Sequence, residues 1–299
     1  MHIVITGGTG FVGKALTAQL ARDGHRITIL TRHPDTQAQT PGVEYVGWFS
    51  NRNRMEKSLD KVDCIINLAG ESLNEGRWTA KRKHRILNSR IKATQSVIAI
   101  IEQLETKPNV LINASAVGYY GMSDSKIFTE ESSVHANDFL AGVVRRWEEE
   151  AKKAESYGVR TVLTRFGVIL GNEGALPKIM FPYKFGVGGT IGSGEQWLSW
   201  VHIDDVLGMI RYAINHTEVE GPLNVTAPRP VQMKVLGQAV GATMKRPHWM
   251  PVPSFAMKLA LGEMSNLLLK GQYVLPQKAQ NKGYTFHYPS IKSALESLI

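Results

Sequence analysis

Residues 1–13 read MHIVITGGTGFVG, and this stretch decides the fold. A short apolar run, typical of a buried strand, leads directly into a glycine cluster and then into a helical pattern. Two spacings fit the cluster: G-x-G-x-x-G starting at Gly8 and G-x-x-G-x-x-G starting at Gly7. Both spacings include Gly10 and Gly13. The strand pattern, the glycine turn and the helical pattern follow one another in the order that a dinucleotide-binding unit requires.

Each glycine of such a turn has a physical task. One lets the backbone turn sharply, one lets it approach a pyrophosphate, and one lets the helix pack close to its strand. The helix that begins at about Phe11 then points free N–H groups and the positive end of its dipole at the phosphates. The turn is therefore predicted to bind a dinucleotide through Gly7, Gly10, Phe11, Val12 and Gly13.

The second strand indicates which dinucleotide is bound. An NAD-specific domain has an acidic residue about 20 positions after the glycines, where it binds the ribose 2′-hydroxyl. Residues 26–34 read RITILTRHP, which places no carboxylate at the strand end. Arg32 instead offers a planar cation for a 2′-phosphate, so NADP(H) is the expected cofactor. The alternative is that Arg32 is a solvated arginine that follows a strand.

Composition restricts the class of protein. A chain of 299 residues with 43% hydrophobic content is large enough for one substantial core and a smaller lobe. Its one cysteine, Cys64, excludes a disulfide framework and a cysteine metal site, which fits a reducing compartment and predicts a cytoplasmic protein. No apolar run approaches the ~18 residues of a membrane span, so no membrane partner is expected.

The formal charge of +9 raises the question of nucleic-acid binding. The densest basic run, residues 81–85 (KRKHR), has no interleaved aromatic residues and is typical of a solvated helix face. A basic surface suits an anionic cofactor and substrate equally well, so no nucleic-acid partner is predicted.

Strand and helix patterns alternate along the first part of the chain. Strands are predicted near 2–6, 26–31, 43–48, 63–69, 109–115 and 160–168, with helices over 79–103 and 138–157. This alternation predicts an α/β fold with a doubly wound parallel sheet, the Rossmann fold, over 1–171 with contributions from about 200–228. A smaller α+β substrate lobe is predicted over 172–299.

Ligands of such sheets bind beyond the carboxyl ends of the strands. The residues at the carboxyl ends of two further strands are therefore predicted to contact the cofactor: Leu68, Ala69, Gly70 and Phe166. In the smaller lobe, the glycine-rich loop 188–197 is expected to face the substrate.

Three polar residues in the lobe could suggest a metal. His202, Asp204 and Asp205 lack the spacing of metal ligands, and either aspartate could open the helix that follows. No metal site is predicted.

Several motifs together resemble the extended short-chain dehydrogenase/reductase superfamily, and more narrowly its atypical, epimerase-like branch of the human family 39U type. The resemblance covers essentially the whole chain and includes the C-terminal domain of unknown function of that branch, at about 248–297. The motifs are the glycine turn, residues 67–70 (NLAG), 114–121 (ASAVGYYG), 165–171 (RFGVILG) and 200–205 (WVHIDD), followed by 251–253 (PVP) and 283–286 (GYTF).

The resemblance also implies a proton-transfer site. Typical members carry a Tyr-x-x-x-Lys pair on the helix after the serine strand. Aligned on Glu148, this chain has Leu140 and Val144 at those two positions, and neither side chain can transfer a proton. The family serine corresponds to Ser115, and the family asparagine on the preceding helix corresponds to Arg90. Ser115, Arg90 and Tyr120 are the candidate catalytic residues, with Tyr119 as a second possible donor.

These features predict an NADP(H)-binding oxidoreductase, epimerase-like, of unidentified substrate. Hydride would pass between nicotinamide and a carbonyl or alcohol on a small molecule, such as a sugar nucleotide or another anionic carbonyl compound. The alternative is a non-catalytic NADP(H)-binding redox sensor or regulatory protein, which the missing Tyr-x-x-x-Lys pair favours. Either a monomer or a homodimer is compatible with the sequence.

Overall fold

The computed structural model describes residues 1–38, 40–48, 58–133 and 137–299. The strands are β1 (His2–Thr6), β2 (Arg26–Thr31), β3 (Val43–Gly47), β4 (Cys64–Asn67), β5 (Val110–Ala116), β6 (Ile127–Phe128), β7 (Arg160–Phe166), β8 (Val168–Leu170), β9 (Trp197–Leu198), β10 (Trp200–His202), β11 (Gly221–Val225), β12 (Val231–Gln232) and β13 (Tyr273–Val274). The helices are α1 (Phe11–Arg22), α2 (Ala80–Gln103), α3 (Phe139–Lys152), α4 (Leu176–Lys184), α5 (Ile203–Asn215), α6 (Met233–Thr243), α7 (Ser254–Leu261), α8 (Asn266–Leu269), α9 (Gln277–Asn281) and α10 (Ile291–Leu298).

Seven strands form one parallel sheet in the order β11-β7-β5-β4-β1-β2-β3. The order reverses at β1, whose residue Ile3 pairs with Ile27 on one side and with Cys64 on the other. Such a reversal opens a crevice at the carboxyl ends of the strands, where ligands of this architecture bind. The predicted Rossmann fold is confirmed.

Alternation along β1 explains why helices cover both faces of the sheet. Ile3 and Ile5 point into a core cluster with Leu16 of α1 and Ile210 of α5. Val4 points the other way, into a second cluster built with α2. Because both faces of β1 are fully buried, its central residues Ile3–Ile5 are apolar without polar alternation, as in sheets covered on both sides.

The last predicted strand, 160–168, is interrupted in the structure. Gly167 separates β7 from β8, and a Cβ atom on Gly167 would lie 2.5 Å from the Ser199 carbonyl oxygen. Beyond this close approach Val168 donates to Ser199 and β8 pairs with β10 instead of continuing in the main sheet. The chain therefore leaves the large sheet at Gly167 and continues into the separate pair formed by β8 and β10.

Helices α4, α6 and α10 contribute to a separate hydrophobic cluster, and we call the part of the chain built around it the smaller lobe. The lobe's C-terminal segment is tied to α5 by Asp205, a fully buried carboxylate. Asp205 accepts hydrogen bonds from the backbone N–H groups of His287 and Tyr288, both at 2.9 Å, and from the Tyr284 hydroxyl at 3.1 Å.

The prediction that Asp204 or Asp205 begins α5 is wrong, because the N-cap is His202, two residues before Asp204. The helix is capped by His202, whose Nδ1 accepts from the Asp204 N–H at 3.0 Å. The other ring nitrogen of His202 contacts the Ser297 hydroxyl at 3.1 Å.

No group of three metal-ligating side chains occurs within the described ranges, nor does any helix there have the length and apolarity to cross a membrane.

Candidate functional site

The glycine turn is tightly packed at two of its positions. Gly7 has a φ of +69°, and a Cβ atom there would lie 2.7 Å from the Leu68 carbonyl carbon. A Cβ atom on Gly13 would lie 2.2 Å from the Gly7 carbonyl oxygen. Both positions therefore require glycine for the turn to fold against β4 and for α1 to approach it.

Gly10 is different, because space rather than protein faces it. The nearest heavy atom to a Cβ on Gly10 would be the Gly7 carbonyl oxygen at 3.4 Å. Gly10 is also the N-cap of α1, and no side chain caps the helix there. The first N–H groups of α1 are therefore available to an anion, and the turn fits the pyrophosphate of a dinucleotide.

The structure gives Phe11 and Val12 specific packing contacts. The Phe11 ring lies against Gly171, where a Cβ atom would come within 2.6 Å of the ring, and against Gly174. Val12 packs on the core cluster beneath the sheet. A cofactor contact by Phe11 therefore falls mainly to its backbone N–H, at the start of α1.

Arg32 lies one residue beyond the end of β2, next to the crevice. Its side chain is exposed and has no hydrogen bond or ion pair among the residues that the structure describes. The neighbouring Thr31 hydroxyl accepts from the His33 N–H at 3.3 Å, which shapes the turn after the strand. The guanidinium is thus free to bind an incoming phosphate.

The chain leaving β4 passes under a second arginine. Leu68 and Ala69 are half-buried and Gly70 is exposed. A Cβ atom on Gly70 would lie 3.3 Å from Cζ of Arg90, so the absence of a side chain lets the guanidinium lie over the backbone.

Arg90 is held in place by protein groups. Its Nη1 donates to the Glu71 carbonyl at 3.1 Å and to the Ile86 carbonyl at 3.0 Å, and its Cζ lies 5.1 Å from the Trp147 ring centroid. Burial lowers the pKa of Arg90 to about 10, with nearby Glu71 acting in the opposite direction. Arg90 therefore remains a cation at neutral pH beside the carboxyl end of β4.

Ser115 lies at the end of β5 and is part of a buried polar network. Its hydroxyl donates to Glu148 Oε1 at 2.6 Å. Glu148 also accepts two hydrogen bonds from Arg165, from Nε and from Nη2, both at 2.8 Å. All three side chains are buried, and this bidentate pair raises the pKa of Arg165 in spite of the desolvation that opposes it.

Tyr120 joins the same network from the turn after β5. Its hydroxyl accepts from Arg165 Nη1 at 2.9 Å and donates to Asn224 Oδ1 at 2.7 Å. Burial raises the pKa of Tyr120 to about 12, against the lowering effect of Arg165. The neighbouring Tyr119 stacks on Arg165, with 3.5 Å between Cζ and the ring centroid. The structure therefore joins the predicted residues Ser115 and Tyr120 through two side chains that the sequence did not single out as functional.

The remaining predicted residues lie apart from that network. Phe166 ends β7, pairs with Ala116 and Val225, and packs on the core. Leu140 and Val144, at the family tyrosine and lysine positions, are buried and face Gly118, at 3.6 and 3.9 Å from a Cβ built there.

The basic run at 81–85 is largely paired. Arg82 and Arg85 both bind the Glu71 carboxylate, and Lys83 pairs with Glu263 at 2.5 Å. Much of this positive charge therefore stabilises the junction between α2 and the loops above it.

The glycine-rich loop at 188–197 packs against the C-terminal segment. The Gly192 N–H donates to the Val252 carbonyl at 2.9 Å, and Val252 donates to the Thr190 carbonyl at 2.8 Å. A Cβ atom on Gly189 would lie 1.8 Å from the Met250 carbonyl oxygen, so the glycine permits the close approach of the two segments.

Comparison with known proteins assigns this chain to a family. Residues 3–226 match the NAD dependent epimerase/dehydratase family, and residues 252–298 match a domain of unknown function, DUF1731. The chain is 49% identical to the epimerase family protein YfhF of Bacillus subtilis over 299 residues, covering all of this chain and 98% of that protein. It is 46% identical to the epimerase family protein SH2119 of Staphylococcus haemolyticus, over all of this chain and 99% of that protein.

Solved structures agree with this assignment. The human epimerase family protein SDR39U1, crystallised with NADPH, is 31% identical, with a TM-score of 0.89 over 100% of this chain and 99% of that one. UDP-glucose 4-epimerase from Thermotoga maritima shares the fold, with a TM-score of 0.79 at 16% identity over 99% of this chain and 96% of that one. The chain therefore belongs to the NAD dependent epimerase/dehydratase family, in its epimerase-like short-chain dehydrogenase/reductase form.

Proposed function

We propose that this protein binds NADP(H) and acts as an oxidoreductase or epimerase on a small anionic carbonyl or alcohol. The observation that carries the proposal is Arg32, whose exposed guanidinium lies just beyond β2 and forms no ion pair with the residues that the structure describes, beside a glycine turn that leaves space for a phosphate. A cation at this position favours the 2′-phosphate of NADP(H), whereas an acid would favour NAD(H). The NADPH bound to human SDR39U1 supports the same choice.

The cofactor would be held along the crevice by the residues described above. Backbone N–H groups at the start of α1 bind the pyrophosphate, Arg32 binds the 2′-phosphate, and the chain at Leu68, Ala69 and Gly70 borders the cofactor beyond β4. When bound, NADP(H) supplies or accepts the hydride.

Arg90 is proposed to bind or polarise the substrate. Its Nη1 is occupied by two backbone carbonyls, which fixes the guanidinium plane over Gly70. The remaining donors can stabilise an oxyanion or bind a carboxylate or phosphate of the substrate. Neutralising this charge is expected to slow any turnover more than it weakens cofactor binding.

Ser115 would have a restricted role. Because its one hydroxyl proton is donated to Glu148, Ser115 can accept a hydrogen bond from an alcohol but can donate to a carbonyl only after leaving Glu148. The Tyr120 proton is likewise committed to Asn224. Proton exchange with the substrate oxygen is therefore assigned to water rather than to Ser115 or Tyr120.

A non-catalytic NADP(H)-binding protein is the second candidate function. It is favoured by Leu140 and Val144, which place buried hydrocarbon where the family's proton-transfer pair belongs. Such a protein would bind the cofactor selectively without consuming it.

Calorimetric titration of NADPH and of NADH into the purified protein tests the first step. Selective NADPH binding, followed by loss of reduced-nicotinamide absorbance with carbonyl compounds or sugar nucleotides, would support the oxidoreductase. Selective binding without consumption and without altered sugar-nucleotide products would support the non-catalytic candidate. Absence of binding to both dinucleotides would contradict the whole proposal.

A further inference from the structure

The smaller lobe exposes an unusual share of large apolar side chains. Eleven such side chains are exposed in the described part of the chain, and seven of them lie within 181–187 and 249–259. These seven are Phe181, Phe185, Val187, Trp249, Met250, Phe255 and Leu259. Scattered single apolar residues are normal on a surface, but a concentration of this kind indicates an interaction site.

Five of them form what we call the aromatic patch: Phe181, Phe185, Val187, Trp249 and Met250. The rings of Phe181 and Phe185 are 61% and 68% exposed and their centroids lie 5.2 Å apart. Trp249, 62% exposed, donates from Nε1 to the Gly186 carbonyl at 3.0 Å and from its backbone N–H to the Gly188 carbonyl at 2.9 Å. These hydrogen bonds place the indole beside the loop that follows α4.

Helix α7 presents a second apolar surface. It contains no buried residue, and Phe255 and Leu259, 72% and 76% exposed, lie one turn apart on the same face. Helices α4 and α7 approach the same loop, since Lys178 of α4 donates to the Asn74 carbonyl and Arg77 donates to the Ala260 carbonyl. Both helices therefore contact the loop at residues 74–77.

The charge of these segments has one sign. No aspartate or glutamate occurs in residues 174–194 or 221–262, and these stretches carry seven cations: Lys178, Lys184, Arg229, Lys234, Lys245, Arg246 and Lys258. Four of them are exposed next to the apolar residues in sequence and form no ion pair within the described residues: Lys184, Lys245, Arg246 and Lys258.

We propose that the aromatic patch and α7 dock this protein on the surface of a bilayer that contains anionic phospholipid. Exposed aromatic and aliphatic side chains enter the headgroup region of a bilayer, and unpaired lysines beside them are attracted to acidic headgroups. A second copy of the chain fits less well, because it would bring together two surfaces whose helices α4 and α7 carry lysines and no acidic residue. The prediction of no membrane partner rests on the lack of a spanning segment, and docking on a bilayer surface does not need such a segment.

Co-sedimentation with vesicles tests the proposal on the full-length protein. Binding is expected to phosphatidylcholine vesicles that contain phosphatidylglycerol, with little binding to phosphatidylcholine alone and with loss of binding at high salt. The double variant Phe181→Ser/Phe185→Ser should reduce binding about tenfold or more, since interfacial binding follows the apolar area inserted. Lys184→Gln should reduce it about fivefold, the effect of one juxtamembrane charge.

Matched controls separate this face from the rest of the surface. Ile127→Ser removes an equally exposed apolar side chain outside the patch, and Lys92→Gln removes an exposed lysine on α2. Both should bind vesicles as the unchanged protein does. Thermal unfolding confirms that each variant is folded.

Three results would overturn the proposal: no binding to anionic vesicles, binding that the patch variants leave unchanged, or binding that zwitterionic vesicles match. A dimer in solution that the patch variants dissociate, without vesicle binding, would assign the face to self-association instead. None of these readouts depends on NADPH binding, so failure here is distinct from failure of the proposed function.

Discussion

The Ser115 hydroxyl donates a 2.6 Å hydrogen bond to Glu148, a buried carboxylate that already pairs with Arg165. If Ser115 is catalytic, it orients the substrate oxygen. If its role is only structural, its hydroxyl serves to give Glu148 one more hydrogen bond. Ser115→Ala separates the two. We expect nearly unchanged NADPH affinity, a stability loss of about 1–3 kcal/mol for the lost hydrogen bond, and reduced turnover. An unchanged turnover rate at saturating substrate would remove Ser115 from the mechanism.

Glu148 should matter far more for stability than Ser115. Glu148→Ala leaves the Arg165 guanidinium buried without its partner, which typically costs about 3–5 kcal/mol. Glu148→Gln keeps the shape and one acceptor oxygen, so its loss should be smaller. Urea unfolding of the two variants checks the order, and equal losses would show that the ion pair is not what stabilises this site.

The glycine turn offers a matched pair of substitutions. Gly10→Val places its side chain where open space faces the turn, so the protein should fold normally but fail to bind either dinucleotide. Gly13→Val drives a side chain into the Gly7 carbonyl and should instead destabilise the fold. Calorimetry with NADPH and thermal unfolding distinguish the effects. Retained dinucleotide affinity in folded Gly10→Val would mean that the turn does not bind phosphate.

Arg32 should determine cofactor choice. Arg32→Ala removes the charge offered to the 2′-phosphate and should weaken NADPH about tenfold to a hundredfold, in line with a charge-assisted hydrogen bond of about 1.5–3 kcal/mol. NADH affinity should hardly change. Equal weakening of both cofactors in calorimetric titrations would reject the 2′-phosphate role.

His202 should make the fold sensitive to mild acid. Burial lowers its pKa below the ordinary value of 6.5, with Asp204 and Asp205 acting in the opposite direction. The unfolded chain therefore binds the proton first, and the stability contributed by neutral His202 is full above pH 6.5 and lost as pH falls from 6.5 toward the folded-state pKa.

His202→Asn tests this dependence, since asparagine can still cap α5 but does not titrate. The variant should lose less unfolding free energy than the unchanged protein between neutral and mildly acidic pH. Parallel slopes for the two proteins in that interval would contradict the assignment to His202.

Local pattern predicted the first strand, the glycine turn and the first helix correctly, because these parts are adjacent in sequence. The strand, glycine turn and helix of residues 2–22 can be identified from the spacing of their residues alone. The polar network could not be predicted in the same way. Glu148 served only as an alignment anchor, and its contacts with Ser115 and Arg165 join different elements that only the folded sheet brings together.

Two predictions made from local sequence are wrong, each for a physical reason. The N-cap of α5 is His202 rather than an aspartate, and aspartates at the first turn gave no signal that a histidine ring would accept the Asp204 N–H. The apolar run after residue 160 predicts a strand as far as 168, because it does not show that Gly167 meets Ser199. The first outcome is a local hydrogen bond that the residue type did not indicate, and the second depends on a tertiary contact.

The edge position of β11 has a consequence for biosynthesis. The chain completes β7 and then passes through the smaller lobe and α5 before residues 221–225 return to pair with β7. A nascent polypeptide emerging from the ribosome therefore exposes a bare strand edge at β7 during that interval. Until Asn224 arrives, the Tyr120 hydroxyl also lacks its acceptor. Chaperone protection of the newly made chain should be needed most between the emergence of β7 and the emergence of β11 from the ribosome, and a stall in that interval would favour aggregation.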